Sequence, residues 1–325
     1  MKSDPHEPAK RDKRFDKNER DEDFFFFLNQ VLHQTKLPSD YQGDGGSRIP
    51  IVYIVGAPRS GTTLLSQLVS RHLPVGYINN LIARFWLKPS AGIRISQSLL
   101  PGLAPKNISL HSVHGTTEGI INPHEFGYFW RYWLKIDHSP THHLSPEMLS
   151  AIDRAGLKSA LEDEILSTFG VPVMFKNVIC GFHAKFLTRL HPASIFVYIS
   201  RNPKIVAASI LKTRMDRYGS YDTWWSLKPS GYPFGIINDP VAEVVMQVNE
   251  CRREMELELS DPAVHSIRIT YEALCESPKC VLDDISLKLS EMGFSVDPDY
   301  SELANLEISP GPEDLPPDII NRLKE

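Results

Sequence analysis

Cysteine, long apolar runs and surplus charge of one sign are all scarce in this 325-residue sequence, and each scarcity removes a class of function. The four cysteines, Cys180, Cys251, Cys275 and Cys280, form no CxxC pair and no His/Cys cluster at metal-ligand spacing. A disulfide framework or zinc-held scaffold is therefore not expected, no metal is called for, and the thiols read as reduced and mostly buried. No apolar run approaches the roughly 20 residues that cross a bilayer. The first 23 residues, MKSDPHEPAKRDKRFDKNERDED, mix both signs of charge where a secretory signal would be apolar. A net charge of -5 supplies no basic field, which argues against nucleic acid as a partner and leaves anion recognition to local Arg and Lys.

What is present is enough for a sizeable core: 42% of residues are hydrophobic and 23% charged. An α/β pattern runs through most of the chain, so one domain is expected over residues 24–325, preceded by a disordered charged segment at 1–23 that cannot bury apolar area. Asp23 reads as the cap of a short helix, FFFFLNQVLH, with Phe24, Phe27, Leu28 and Val31 against the core. Four consecutive Phe also fit a surface for a partner or a membrane.

The stretch IVYIVGAPRSGTTLLSQLVS, residues 51–70, carries the strongest signal. Its first five residues are β-branched or aromatic and apolar, the composition of a strand buried on both faces. A Gly/Pro turn follows, and then Leu64, Leu65, Leu68 and Val69 recur on one helical face. Strand, glycine turn and helix make an anion cradle, because the turn amides and the positive end of the helix converge on one point. Gly56 and Gly61 have the spacing of the P-loop pattern GxxxxGK[ST], yet Thr62 occupies the Lys position and a cation sits inside the loop at Arg59. The cradle therefore suits a phosphate-bearing donor that needs no Lys–Mg²⁺ clamp.

Further strands are expected at residues 75–80, at VPVMFKN ending in Lys176, at 195–199 and at 266–270. Residues 81–146 carry six prolines and read as an excursion from the α/β core. Within it, His124 and Glu125 adjoin the aromatic run Phe126, Tyr128, Phe129, Trp130, Tyr132 and Trp133, which is either core or the wall of an acceptor pocket. Partial burial there would raise the Glu125 pKa toward the range of a general base. Residues 145–170 read as one amphipathic helix with a solvated acidic patch at Glu162, Asp163 and Glu164. A long loop from Met215, with Trp224 and Trp225 as candidates to stack on a base or shape an acceptor site, reads as a lid or binding element. The proline-rich tail ISPGPEDLPPDII is expected to be irregular.

PRSGTT, residues 58–63, resembles the 5′-phosphosulfate loop of sulfotransferases that use PAPS (3′-phosphoadenosine 5′-phosphosulfate). Two further motifs follow in family order: Arg201 with Ser209 eight positions later in RNPKIVAAS, resembling the 3′-phosphate motif, and Tyr271–Glu272 at the end of a strand. Together they cover residues 51 to about 293. The resemblance implies a three-layer α/β/α fold with a central parallel sheet, like P-loop NTPases, and transfer of a sulfonyl group from PAPS to a hydroxyl or amine, leaving PAP (3′,5′-ADP). It implies that Arg59, Ser60, Gly61, Thr62, Thr63, Arg201, Ser209 and Tyr271 bind the donor and that Lys176 reaches the transferred group. Family members held in the Golgi carry an N-terminal helix, and its absence here points to a cytoplasmic protein. One branch keeps a catalytic Glu after the second strand, where this sequence has Asn79 and Asn80, so Glu125 is the first candidate for the base, with His124 and Glu118 behind it. Two other readings stay open: a P-loop kinase or NTPase, disfavoured by the missing Lys and by Arg201 where an Asp would end a neighbouring strand, and a non-catalytic PAPS-fold protein, motivated by Asn80. The aromatic run favours an acceptor with an apolar or ring-bearing part, but steroid, phenol, lipid, glycan and peptide all qualify.

Overall fold

The structure, a computed structural model, describes residues 12, 18–35, 48–100, 107–232, 237–303, 305–312 and 314–324. Five strands form one all-parallel sheet: β1 Ile51–Val55, β2 Gly76–Tyr77, β3 Val173–Lys176, β4 Ser194–Ser200 and β5 His265–Thr270. Their spatial order is β2-β3-β1-β4-β5, so β1 is central, pairing Ile51 to Ile54 with β3 and Ile51 to Val55 with β4. All five β1 residues are buried, as expected of a strand covered on both faces.

Thirteen α-helices are described: α1 Glu19–His33, α2 Thr62–His72, α3 Pro89–Leu99, α4 Gly127–Trp133, α5 Pro146–Ser150, α6 Arg154–Ser159, α7 Ser167–Phe169, α8 Ala184–Leu190, α9 Pro203–Tyr218, α10 Pro240–Leu259, α11 Tyr271–Glu276, α12 Pro278–Glu291 and α13 Pro317–Lys324. Alternation along β1 divides them into two layers. Tyr53 and Val55 face a core shared with α4, α8, α9 and α10, whereas Val52 and Ile54 face one shared with α2, α11 and α12. Pro203 and Pro240 occupy first turns, where a missing N–H costs nothing, and Asn202 and Asp239 cap those helices.

Adjacent strands β1 and β4 are thus followed by helices on opposite faces, α2 and α9. Where neighbouring connections diverge in this way, a crevice opens at the carboxyl ends of the strands. Sheet order and layering place residues 56–61 and Arg201 at that crevice, and Lys176 at the end of β3 beside it.

Several expectations need correction. The first helix starts at Glu19, with the Asn18 side chain accepting from the Arg20 N–H, so Asp23 lies inside it and is not its cap. The docked face is also different: Phe24 (57% exposed) and Phe27 (66%) point outward with Phe26 and Val31, and Glu22, Phe25 and Asn29 face the protein. Buried polar bonds decide this orientation. Asn29 donates to the Phe25 and Arg84 carbonyls at 2.8 and 2.7 Å and accepts from the Leu87 N–H at 2.8 Å, and Glu22 pairs with Arg84. Residues 1–11 and 13–17 of the expected disordered segment lie outside the described residues, as do 36–47.

Residues 145–170 are not one helix. Asp153 caps a new start at Arg154, a π-helical stretch runs over Ala160–Leu166, and Gly170 at φ 68° ends the series. Nor is its acidic patch solvated throughout. Glu162 is buried 2.9 Å from the His191 ring, and Glu164 pairs with Lys88 and accepts from Ser90 at 2.6 Å; only Asp163 is exposed. The described residues of the tail are irregular as far as Pro316, but Pro317–Lys324 is helical because Ile319 and Leu323 find apolar partners in the α9–α10 layer.

Replacing Asn29 with Leu should destabilise the protein by about 1–3 kcal/mol, because it strands the Arg84 carbonyl and the Leu87 N–H in a buried setting. A shift of the urea unfolding midpoint measures this, whereas the exposed Phe27→Ala should change it by less than about 0.5 kcal/mol.

Candidate active site

The loop after β1 can turn only because two glycines are present. A Cβ at Gly56 would run into the Ile199 carbonyl oxygen, and at Gly61, where φ is 105°, it would lie 2.6 Å from the Tyr271 ring. Between them Arg59 is left-handed at φ 70°, a conformation that costs a non-glycine residue about 1–3 kcal/mol. Of the five non-glycine residues with positive φ, three (Arg59, His114 and Ser226) line one cavity, and a fourth, Phe126, directly follows Glu125. Backbone strain is concentrated around this space.

The cavity has a volume of about 640 Å³. Gly61, Thr62 and Thr63 form its floor, and α2 begins there without a side-chain cap and without an acidic residue in its first turn. The unbonded amides of a helix start are therefore left for an anion. Arg59, Lys176, Arg201, Tyr271, His124 and Glu125 line the same cavity. Ser60 and Ser209 do not line it: Ser60 is buried with an unpartnered Oγ, and Ser209 accepts from Arg59 Nε at 2.9 Å. A phosphate-bearing group fits what is present, since the open amides, the orphan hydroxyl of Ser60 and the absent Cβ of Gly61 all lie at one loop.

The electrostatics point the same way. Burial, and then the charge of Arg201, lower the pKa of Arg59 from its usual value, and burial lowers that of Arg201. Arg201 lies over the Tyr271 ring, 4.1 Å from its centroid, and donates to the Ser309 carbonyl. Crowded, partly dehydrated cations are relieved by a polyanion.

Glu125 departs from expectation. Its enclosure does oppose ionisation, but the Lys176 ammonium, with His124 and Arg217, outweighs this and holds the carboxyl below the usual range, where a raised pKa was expected. Lys176 and Glu125 form a direct ion pair in which Lys176 is 5% exposed and Glu125, on the cavity side, 48%. The Asn177 side chain donates to the Glu125 carbonyl at 2.8 Å and anchors this segment to the end of β3. His124 Nδ1 accepts the Phe126 N–H at 2.8 Å, so the neutral ring carries its proton on Nε2. The Glu118 side chain is exposed and does not line the cavity. Asn80 donates to the Gly119 and Thr117 carbonyls at 2.7 and 3.1 Å, an organising role for that loop.

The aromatic run divides. Phe126, Phe129 and Trp130 are buried in the core, where Trp130 packs edge-on against Tyr53 and Phe175, and do not line the cavity. Its lining comes from elsewhere, including His111, His114, His142, Arg217 and Trp225, of which only Trp225 stands out in the sequence. Spacing held a signal for one of the others. Ser209, Thr213 and Arg217 recur every four residues along α9, which carries one helix face from Ser209 to Arg217 at the cavity.

The loop bearing Trp225 is pinned by buried side chains. Arg214 donates to the Tyr221 carbonyl at 3.1 Å, Gln247 to the Trp225 and Leu227 carbonyls at 2.9 Å each, and Glu254 accepts from Ser230 and Gly231 amides at 3.1 and 2.7 Å. It is a preformed wall over residues 221–231, not a lid.

The Sulfotransferase family model matches residues 50–289, about three quarters of the chain. The chain belongs to the sulfotransferase family. No curated protein matches the sequence. Among solved structures it is similar to sulfotransferase STF9 from Mycobacterium avium (12% identity, TM-score 0.46, covering 94% of this chain and 71% of that one) and to a sulfotransferase from Alicyclobacillus acidocaldarius (17%, 0.38, 84% and 89%). Sulfotransferase STF1 from Mycobacterium tuberculosis H37Rv is similar at 14% identity and a TM-score of 0.38, covering 74% and 67%. Membership rests on the family match, since likenesses of this strength carry no weight beyond it. Among the described residues no helix is long and apolar enough to cross a membrane, and no group of three or more His, Cys, Asp or Glu could hold a metal ion.

Glu254, 2% exposed, provides a pH test of the pinned wall. Burial opposes its ionisation, but the His143 bond and the amides and hydroxyl of residues 230–231 outweigh it and pull the pKa down from 4.5 to about 2. A carboxyl depressed in the folded state adds stability above its unfolded pKa, and that stability is lost as pH falls from about 4.5 to about 2. Glu254→Gln should therefore lower urea stability at pH 7, and the gap between variant and wild type should close on acidification through that window.

Proposed function

We propose that this sulfotransferase takes its sulfonyl group from PAPS, transfers it to a hydroxyl or amine of an acceptor, and releases PAP. The observation that carries this reading is the convergence on one cavity of an uncapped helix start, an Arg inside its loop, and a second Arg at the end of the neighbouring strand. PAPS, when bound, supplies the activated sulfonate. The amides of residues 61–63 would hold its 5′-phosphate, the Ser60 N–H being given to the Ala57 carbonyl at 3.1 Å, and Arg201 with Ser209 its 3′-phosphate, with the Tyr271 ring keeping Arg201 in place. Lys176 and Arg59 stand where they can balance negative charge that builds during transfer.

Glu125 is the only carboxylate lining the cavity among the described residues, and we assign it the acceptor's proton. Its pairing with Lys176 is a constraint on that role as well as a support. A carboxylate held by an ammonium is a weak base. As Lys176 turns to another anion, Glu125 loses that partner and its pKa rises toward the range a base needs. His124, a donor in its neutral form, suits orientation better than proton removal.

Two observations speak against the competing readings. The first helical position is Thr62, so the Lys of an NTPase clamp is lacking, and Asn80, the reason to suspect a non-catalytic protein, has a structural task outside the chemistry.

The reading is tested by melting the protein with PAP and with ATP–Mg²⁺: a shift with PAP and none with ATP–Mg²⁺ is expected, and the reverse would overturn it. Arg201→Ala should weaken PAP binding roughly tenfold to hundredfold while leaving binding of 5′-AMP nearly unchanged, as measured by calorimetry. Equal losses for both nucleotides would show that Arg201 does not serve the 3′-phosphate. Glu125→Gln should lower turnover about 10²–10⁴-fold with PAP affinity retained. Near-normal turnover in a folded variant would remove Glu125 from the chemistry.

A further inference from the structure

A short hairpin bridges the crevice between α2 and α9. At its base, Gln67 on α2 donates to the Ser109 and His111 carbonyls at 2.7 and 3.1 Å. At its tip, Val113 and Thr116 exchange both backbone hydrogen bonds, at 3.0 and 2.9 Å, and the two residues between them, His114 and Gly115, have φ of 50° and 84°. A two-residue turn with both central residues left-handed suits Gly or Asn and is costly for His. The tip lies over the cradle: a Cβ at Gly115 would stand 3.5 Å from Thr63 Oγ1 and 3.7 Å from Arg59 Nη1.

The His114 ring ties this tip to α9. Its Nε2 lies 3.1 Å from Asp216 Oδ2 and its Nδ1 3.1 Å from Thr213 Oγ1. The buried Thr213 hydroxyl also stands 2.7 Å from the Ser209 carbonyl, and Ser209 Oγ in turn accepts from Arg59 Nε at 2.9 Å. Thr213 has one proton to give. With the carboxylate taking the Nε2–H, a neutral ring receives that proton at Nδ1, whereas a protonated ring donates from Nδ1 and returns it to the Ser209 carbonyl. The tie therefore holds in both states. The charges that act on the ring come from the loop after β1 (Arg59) and from α9 (Asp216, Arg217 and Lys212), and Asp216 is itself paired with Lys212 at 2.8 Å. Burial, and then Arg59, push the ring's pKa down, with Asp216 opposing them. An anion bound at Arg59 would cancel the largest of these charge effects.

We propose that His114 is a positioning residue for the sulfonate donor: its ring latches the hairpin to α9, holds the tip over Arg59 and Thr63, and takes up a proton from solvent when the donor's phosphates arrive. This rests on the donor reading above. Proton uptake converts the contact with Asp216 into a full ion pair, so the latch is strongest with the nucleotide in place. Arg59, fixed by Ser209 on one side and overlain by Gly115 on the other, then has its direction set before the acceptor enters.

The test is calorimetry of PAP binding at pH 7 in buffers of different ionisation enthalpy, which yields the affinity and the number of protons taken up. His114→Asn keeps the turn, since Asn tolerates a positive φ, but is too short to reach both partners on α9. It should weaken PAP binding roughly tenfold and lower the proton uptake per PAP bound. Asp216→Asn should move both readings the same way by less. The double variant should lose little more than His114→Asn alone, because both changes cut one tie. A merely structural histidine would lower the melting temperature without moving the proton count. Affinity within about threefold of wild type in folded His114→Asn overturns the proposal, as does an equal proton uptake or an additive double variant. If His114→Asn does not fold, Asp216→Asn is read alone, and unchanged affinity and proton uptake in it overturn the proposal. Wild-type protein that does not bind PAP removes the donor reading and this inference with it.

Discussion

Burial of β1 on both faces and along both edges is the constraint on which the rest of the molecule depends. A strand with β3 on one side, β4 on the other and a helical layer on each face has no freedom at its carboxyl end except to turn sharply. The turn must pass under the Ile199 carbonyl and beside the Tyr271 ring, and only Gly56 and Gly61 leave space for it. The same sheet order sends α2 and α9 to opposite faces, which opens the crevice and delivers Arg59 and Arg201 into it from two sides. The anion recognition proposed for this crevice would thus be a by-product of how the core is layered.

The cavity is built under tension. Left-handed Arg59, His114 and Ser226, mutually repelling Arg59 and Arg201, and the orphan Oγ of Ser60 are each unfavourable in isolation. They persist because the surrounding structure over-determines them: a five-stranded parallel sheet below, a wall pinned by Arg214, Gln247 and Glu254 on one side, and the Asn177 anchor at Glu125 on another. A preformed site of this kind carries its ordering cost in the folded state and gives it up to no ligand.

At three places where expectation and structure part, a polar bond overrode an apolar or acidic pattern. Asn29 and Glu22 chose the docked face of α1 against the more numerous phenylalanines. Glu162 and Glu164 left the solvated face because His191, Lys88 and Ser90 were waiting for them. Glu125 kept a low pKa because Lys176 approached from a strand 51 residues away. Periodicity reports where apolar area lies but not which distant partner a polar group will meet.

By itself the amino-acid sequence determined the strand–loop–helix cradle, the parallel α/β class and the presence of Arg59 in the loop after β1. Each of these is local: it follows from residue type and spacing within about 20 positions, where chain geometry leaves few choices. The far wall of the cavity was decided only by tertiary structure. His111, His114 and His142 come from the excursion and Arg217 from the last turn of α9, and no spacing in the chain relates the first three to one another. Their meeting depends on how α9 and α10 pack over the sheet, a contact between segments far apart in the chain.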